Sequence, residues 1–282
     1  MATVAITGIT GLAGRHVAHA FRAAGHRVVG ISRRPADDAA EPAVRTVPDL
    51  TDAAALTTAL QGCDAVLHFA DRADRKSYGK DDVGTAAAAM TAIRAACAAN
   101  GVQRVVAASS IYAERTDRPE DRYGRSKRAM ETAGVAPSLP GSPAVVLRLP
   151  PLHGPGARGA VRHIAQAIAR GWPLPFALAK APRRFLSLDA LADLCVHLVD
   201  ADDAAFRRAA GQIWVPVDVR HASLAALARS LGQGRARLLP VPGIDRLIGG
   251  RVSPAQLEQD RRSLLDAIGW EAGIRNGRPV GR

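Results

Sequence analysis

Tyr123 and Lys127 stand four residues apart in Tyr123-Gly-Arg-Ser-Lys127, a spacing that on a helix sets both side chains on one face. A free phenol titrates at about 10, and a cation held beside it favours the phenolate, bringing it toward proton exchange at neutral pH. The pair is a candidate general acid and base. Just upstream, Ser109 and Ser110 offer hydroxyls able to hydrogen-bond a substrate oxygen, and the residue types leave open which of the two does so.

A second group handles anions. Gly8-Ile-Thr10-Gly11-Leu12-Ala-Gly14 follows an apolar run and opens an amphipathic stretch. The first glycine permits a positive φ, the second lets a pyrophosphate approach the amides, and the third allows close packing of helix on strand. The amides at the start of such a helix then face the anion. The next apolar run ends in Ser32-Arg33-Arg34. An acidic residue there would bond a ribose 2′-hydroxyl, whereas guanidiniums suit a 2′-phosphate. NADP(H) is favoured on this ground and NAD(H) remains possible; either arginine can equally be an ordinary surface charge. His16 and His19 lie three apart without a third ligand nearby, so no metal is expected.

These groups require a frame of strands and helices. Strands are expected at 4–7, 27–31, 44–47, 65–69, 104–107 and 145–149, with helices over 14–24, 53–60, 85–100 and 123–133 between them. The alternation predicts an α/β fold, a doubly wound parallel sheet of Rossmann type. Gly25, Gly62 and Asn100-Gly101 supply helix stops. After Leu149 the texture turns rich in proline and glycine, which suggests a smaller C-terminal substrate lobe. The expected division is 1–150 with 187–218 for the dinucleotide-binding core, and 151–186 with 219–282 for the lobe.

Composition excludes several classes. The chain has 282 residues, 48% hydrophobic and 23% charged, close to the averages of folded domains and far from disordered or fibrous ones. It carries a formal net charge of +12, which raises a nucleic-acid reading. That reading is set aside because aromatics make up only 4% and the arginines are scattered. No long apolar run or export signal is seen, so no membrane partner and a cytoplasmic location are expected. Cys63, Cys97 and Cys195 are far apart and outside any Cys-x-x-Cys pair, so neither disulfides nor zinc are indicated.

Taken together, the motifs resemble the extended short-chain dehydrogenase/reductases, the NAD(P)-dependent epimerase/dehydratase family. The likeness runs through nearly the whole chain: Asp49-Leu50-Thr-Asp52, Val66-Leu-His68-Phe69-Ala70, Arg148-Leu-Pro150-Pro-Leu-His153-Gly154, Arg183-Arg-Phe185 and Ala267-Ile-Gly269-Trp270 extend it beyond the glycine loop and the Tyr/Lys pair. The resemblance implies that Ser110 orients the substrate oxygen, Tyr123 exchanges its proton, and Lys127 holds the nicotinamide ribose. It implies that Asp49 and Leu50 flank the adenine, that Phe69 and Ala70 lie by the cofactor, and that Pro150 lies near the nicotinamide. Ser32 joins Arg33 and Arg34 at the adenosine ribose. Ser110, His153 and Arg183 become substrate contacts, with Arg183 gripping a phosphate and Arg251 a second candidate. Two alternatives stay beside these roles: Asp49 capping a turn, and Arg183 pairing with a carboxylate.

The departures from the family fall on the substrate side. Only 13 positions separate Ser110 from Tyr123, Asp81 or Asp82 stands where an asparagine is customary, Pro151 replaces a substrate-binding asparagine, and His153 replaces a tyrosine. Ser110 is followed by Ile111 and Tyr112 in place of the carboxylate pair a dehydratase needs. The expected activity is that of an NADP(H)-dependent ketoreductase or dehydrogenase acting on a small carbonyl compound or nucleotide sugar. A nucleotide-sugar 4-epimerase with tightly bound NAD and a non-catalytic dinucleotide-sensing regulator are the alternatives. Relatives commonly pair through two helices, so a homodimer is possible.

Overall fold

A computed structural model of the chain describes residues 1–34, 44–71, 82–116, 121–141, 143–275 and 278–279. The elements in chain order are β1 (Thr3–Thr7), α1 (Leu12–Ala23), β2 (Arg27–Ser32), β3 (Val44–Thr46), α2 (Ala53–Ala59), β4 (Ala65–His68), α3 (Asp82–Ala99), β5 (Arg104–Ser110), α4 (Arg122–Val135) and β6 (Val145–Leu149). They continue with β7 (Leu152–His153), α5 (Gly159–Ala169), β8 (Leu186–Ser187), α6 (Leu188–Asp200), α7 (Asp203–Ala209), β9 (Ile213–Trp214), α8 (Leu224–Gly232), α9 (Ile244–Leu247) and α10 (Pro254–Ile268). A short pair, β10 (Ile274–Arg275) and β11 (Arg278–Pro279), follows.

Seven strands form one parallel sheet in the order β3-β2-β1-β4-β5-β6-β9. The order reverses direction between β1 and β4, and at such a switch point the carboxyl ends of the strands leave a crevice. The strands read as continuous apolar runs because both faces are covered: Val4, Ala5 and Ile6 of β1 and Ala65, Val66 and Leu67 of β4 are all fully buried. β5 runs three residues beyond the expected strand. Ala108, Ser109 and Ser110 are small enough to pair beside Leu147, Arg148 and Leu149 of β6, which carries both serines into the sheet.

The chain divides into two compact units, Met1–Leu149 with Ala192–Trp214, and Pro150–Leu191 with Val215–Arg282. In the first, Leu56, Met90, Ile93, Val105 and Met130 share a core under the sheet. Arg94 of α3 is completely buried there and donates to the carbonyls of Ala133, Gly134, Ala136, Leu139 and Gly141. One guanidinium thus clamps the end of α4 by satisfying carbonyls the helix leaves open. In the second unit Val161, Ile164, Phe185, Leu224, Leu227 and Ile244 form a separate core. There α10 is bounded by the Ser253 cap, Pro254 in its first turn and a left-handed Gly269 at its end.

All three cysteines are buried and unpaired. Among the described residues, no helix is long and apolar enough to cross a membrane.

Candidate active site

The glycine loop forms a cradle at the end of β1. Gly8 adopts φ +70°, and a Cβ on it would come within 2.6 Å of Ala70 N and 2.7 Å of Ala70 Cα. A Cβ on Gly14 would strike the Gly8 carbonyl. The turn is closed by Gly11 N donating to Gly8 O at 2.9 Å. Helix α1 starts at Leu12 with Gly11 as its cap, no capping side chain and no acidic residue in the first turn. Its leading amides are therefore open to an anion, as a dinucleotide requires. Thr10 is exposed at the rim, and Ala70 N donates to Thr7 Oγ1 at 3.2 Å, which fixes the segment after β4 against the loop. Phe69 lies just past β4, its N donating to Thr7 O. The residues present fit a dinucleotide pyrophosphate.

At the end of β2, Arg33 and Arg34 are exposed, and Arg34 N donates to Ser32 Oγ at 3.3 Å. Asp49 behaves as its turn-capping alternative: Oδ1 accepts from Thr51 N at 2.9 Å, and this backbone hydrogen bond holds the carboxyl below its usual range. Leu50 packs partly buried against the core of the first unit.

The acid–base residues converge as their spacing implies. Tyr123 and Lys127 sit on α4, capped by Asp121, whose side chain accepts from Gly124 N at 3.1 Å. Gly124 is required because a Cβ there would stand 2.6 Å from Tyr112 O. Lys127 Nζ lies 5.9 Å from the centre of the Tyr123 ring and donates to Ala108 O at 3.0 Å. Tyr112 meets Tyr123 edge to face, ring centres 5.8 Å apart. Ser110 Oγ accepts from Tyr112 N at 3.3 Å, leaving its own O–H as a donor.

Three residues near this set were given no role by the sequence motifs. Glu131, one turn beyond Lys127, is 2% exposed and takes hydrogen bonds from Ser109 Oγ at 2.5 Å and Arg148 Nε at 2.8 Å. Its other oxygen accepts from Arg148 Nη2 at 2.7 Å. The third is Asp71, whose Oδ2 lies 2.5 Å from Lys127 Nζ. The i, i+4 step from Lys127 to Glu131 was the one signal available in the sequence. On the neighbouring strand, His68 is pushed down to about 4 by burial, with the Lys127 charge adding to the effect, and its Nδ1 meets Thr7 Oγ1 at 2.8 Å.

In the second unit, the expected substrate contacts are built into the protein. Arg183 is 3% exposed. Its Nη1 donates to Asp245 Oδ1 at 2.8 Å and to Ala181 O, and Nε and Nη2 donate to Gly249 O and Ile248 O. The expected phosphate grip is corrected accordingly: this guanidinium binds a carboxylate and three carbonyls, pinning the segment after α9. Arg251 forms an isolated antiparallel bridge with Arg183. His153 is also buried, its ring 4.5 Å from that of His221, and among the described residues its Nε2 has no hydrogen-bond partner. Burial, reinforced by the neighbouring His221, pushes His153 down to about 4. Pro150, the first residue of this unit, is buried.

No metal group was expected, yet one ligand atom each from His153, Asp218 and His221 lies within 4.8 Å of the others. Asp218 receives Arg220 Nε and Nη2, both at 3.0 Å, and His221 Nδ1 stands 3.1 Å away. Burial opposes its ionisation, but the bonds from His221 and Arg220 outweigh that and hold the carboxyl well below the usual range. The charge of this cluster is balanced within the protein.

Residues 4–209 match the model of the NAD dependent epimerase/dehydratase family. UDP-glucose 4-epimerase of Vibrio cholerae is 26% identical over 95% of this chain and 90% of its own. Among solved structures, UDP-N-acetylglucosamine 4-epimerase from Bacillus cereus superposes with a TM-score of 0.68 at 18% identity, covering 98% of this chain and 96% of that one. MoeE5 in complex with UDP-glucose and NAD gives 0.66 at 21% identity, covering 98% and 95%. At these identities, the structural likeness speaks for the fold.

Proposed function

The chain belongs to the NAD-dependent epimerase/dehydratase family, and from that premise we propose that it is an NADP(H)-dependent oxidoreductase passing hydride between nicotinamide and a carbonyl or secondary-alcohol carbon. The substrate is a small carbonyl compound or a nucleotide sugar. The observation that carries this reading is continuity within one unit: Gly8 abuts Ala70, Ala70 leads into Asp71, and Asp71 meets Lys127 beside Tyr123. Cradle and acid–base pair thus share one edge of the sheet.

The bound dinucleotide supplies or accepts the hydride. Ser110 donates its O–H to the substrate oxygen and fixes the carbonyl plane. Tyr123 gives its phenolic proton to that oxygen in reduction and takes it back in oxidation. Lys127 stabilises the phenolate by its charge and holds the ribose hydroxyls. Arg33 and Arg34, exposed beyond Ser32, support recognition of a 2′-phosphate.

Calorimetric titration with NADPH and NADH tests the reading. NADPH is expected to bind more tightly, and NADH binding at least as tightly would remove the 2′-phosphate argument. One observation favours a second reading, a nucleotide-sugar 4-epimerase: the 26% identity to the Vibrio cholerae enzyme along 95% of the chain. Stoichiometric NAD carried through purification, with conversion of UDP-glucose to UDP-galactose without added cofactor, would select it.

A further inference from the structure

Asp71 lies at a junction. Ala70, the residue before it, is the backbone that closes on Gly8, and its N–H is tied to Thr7 Oγ1. The Asp71 carboxylate is therefore carried on an anchored segment at the rim of the glycine cradle. From there Oδ2 reaches Lys127 Nζ at 2.5 Å. The lysine side chain is 9% exposed and that of Asp71 26%, so the pair is screened less than one in open water.

The lysine has few donors to share. An ammonium carries three N–H groups. One goes to Ala108 O and one to Asp71. One N–H remains for a ribose, so holding both ribose hydroxyls sets the second against a carboxylate, and a charge-assisted bond is stronger than one to a neutral hydroxyl. The carboxylate also sets a negative charge beside a cradle suited to an anionic pyrophosphate. Of the described groups on the neighbouring elements, His68 on β4 is neutral by burial, Tyr123 and Tyr112 are phenols, and Asp121 at the start of α4 is a further carboxylate.

We propose that Asp71 is a positioning residue that sets cofactor affinity. It holds Lys127 in the ligand-free protein and releases it when the nicotinamide ribose docks. The dinucleotide is then bound loosely enough to exchange with solution, as a reductase needs and a tightly NAD-bound epimerase does not. The inference rests on the hydride-transfer reading above.

The test is a double-mutant cycle on dissociation constants for NADPH and NADH, measured by calorimetry with Asp71→Asn, Lys127→Met and the double variant. Asp71→Asn keeps the shape and removes the charge; it is expected to tighten binding by about tenfold, since a charge-assisted bond no longer competes for the ammonium. Asp71→Ser, which removes the carboxylate by a different side chain, is expected to do the same, and Asp71→Glu to stay near the original. In the Lys127→Met background the gain from Asp71→Asn should fall to twofold or less. If the original protein binds dinucleotide and neither Asp71→Asn nor Asp71→Ser binds it more tightly, or if the gain persists without Lys127, the role of Asp71 is overturned and the hydride-transfer reading stands. If no variant binds either dinucleotide, the hydride-transfer reading falls and the inference falls with it.

Discussion

Ser109 donates its hydroxyl to Glu131 Oε1 at 2.5 Å, while Ser110, its neighbour on β5, turns the other way and accepts from Tyr112 N at 3.3 Å. Successive strand residues face opposite sides of a sheet, so one serine is bound into the interior and the other is left at the acid–base pair. Ser110→Ala is expected to lower kcat by about a hundredfold with cofactor affinity kept, by analogy with removing one preorganised donor. Ser109→Ala is expected to act on stability, by about 1 to 3 kcal/mol, through the buried acceptor it strands. Steady-state kinetics beside urea unfolding would expose a reversed pattern.

Glu131 balances Arg148 in a site where it is itself 2% exposed. Removing Glu131 leaves the Arg148 charge beside Glu114 at 3.8 Å, so Glu131→Ala should cost about 3 kcal/mol, the low end for a buried pair. Glu131→Gln keeps hydrogen-bonding atoms and should cost less. Equal losses in chemical denaturation would mean that packing, and not charge, dominates here.

Tyr123→Phe removes the phenolic oxygen proposed to exchange the proton and keeps the ring against Tyr112. Turnover is expected to drop by about 10² to 10⁴, with NADPH affinity within a few-fold of the original. Unchanged turnover would assign the proton to another group.

Gly8→Ala and Gly25→Ala make a matched comparison. Both glycines hold positive φ, +70° and +85°, so each substitution carries a backbone cost of about 1 to 2 kcal/mol. Only at Gly8 would the added carbon meet backbone, while nothing lies within 4 Å at Gly25. Loss of dinucleotide binding is expected for Gly8→Ala alone. A binding loss at Gly25→Ala as well would mean that the cradle is not the site.

His68 and His153 are both pushed down to about 4 by burial. The folded state therefore prefers them neutral, while in the unfolded chain they take up protons near the ordinary histidine value of about 6.5. Their contribution is present above that value and is lost as pH falls toward 4, by about 3 kcal/mol for each group across the window. Unfolding free energies measured by urea titration at neutral pH and at successive steps down to about pH 4.5 should fall accordingly. His153→Gln should flatten the decline, and a decline of the same steepness in that variant would remove His153 from the account.

Much of the frame was legible because its signals are local. Apolar runs of strand length, glycines at helix ends and the four-residue step from Tyr123 to Lys127 each depend on neighbours within one or two turns, and the sheet with its cradle followed from them. Most strands shifted one limit by one residue, and the largest shift came where small residues let pairing continue, at Ser109 and Ser110. The partners of charged groups were not legible. Asp71 meets Lys127, Arg183 meets Asp245, and His153 meets His221 across stretches of 56 to 68 residues, and no periodicity carries information over such distances. By itself, the sequence determined the glycines of the cradle and which side chains share the acid–base face of one helix. Only the tertiary structure decided which serine stays at that face, which carboxylate holds the lysine, and that Arg183 binds inward, because burial makes a charge take whatever partner the fold brings within reach.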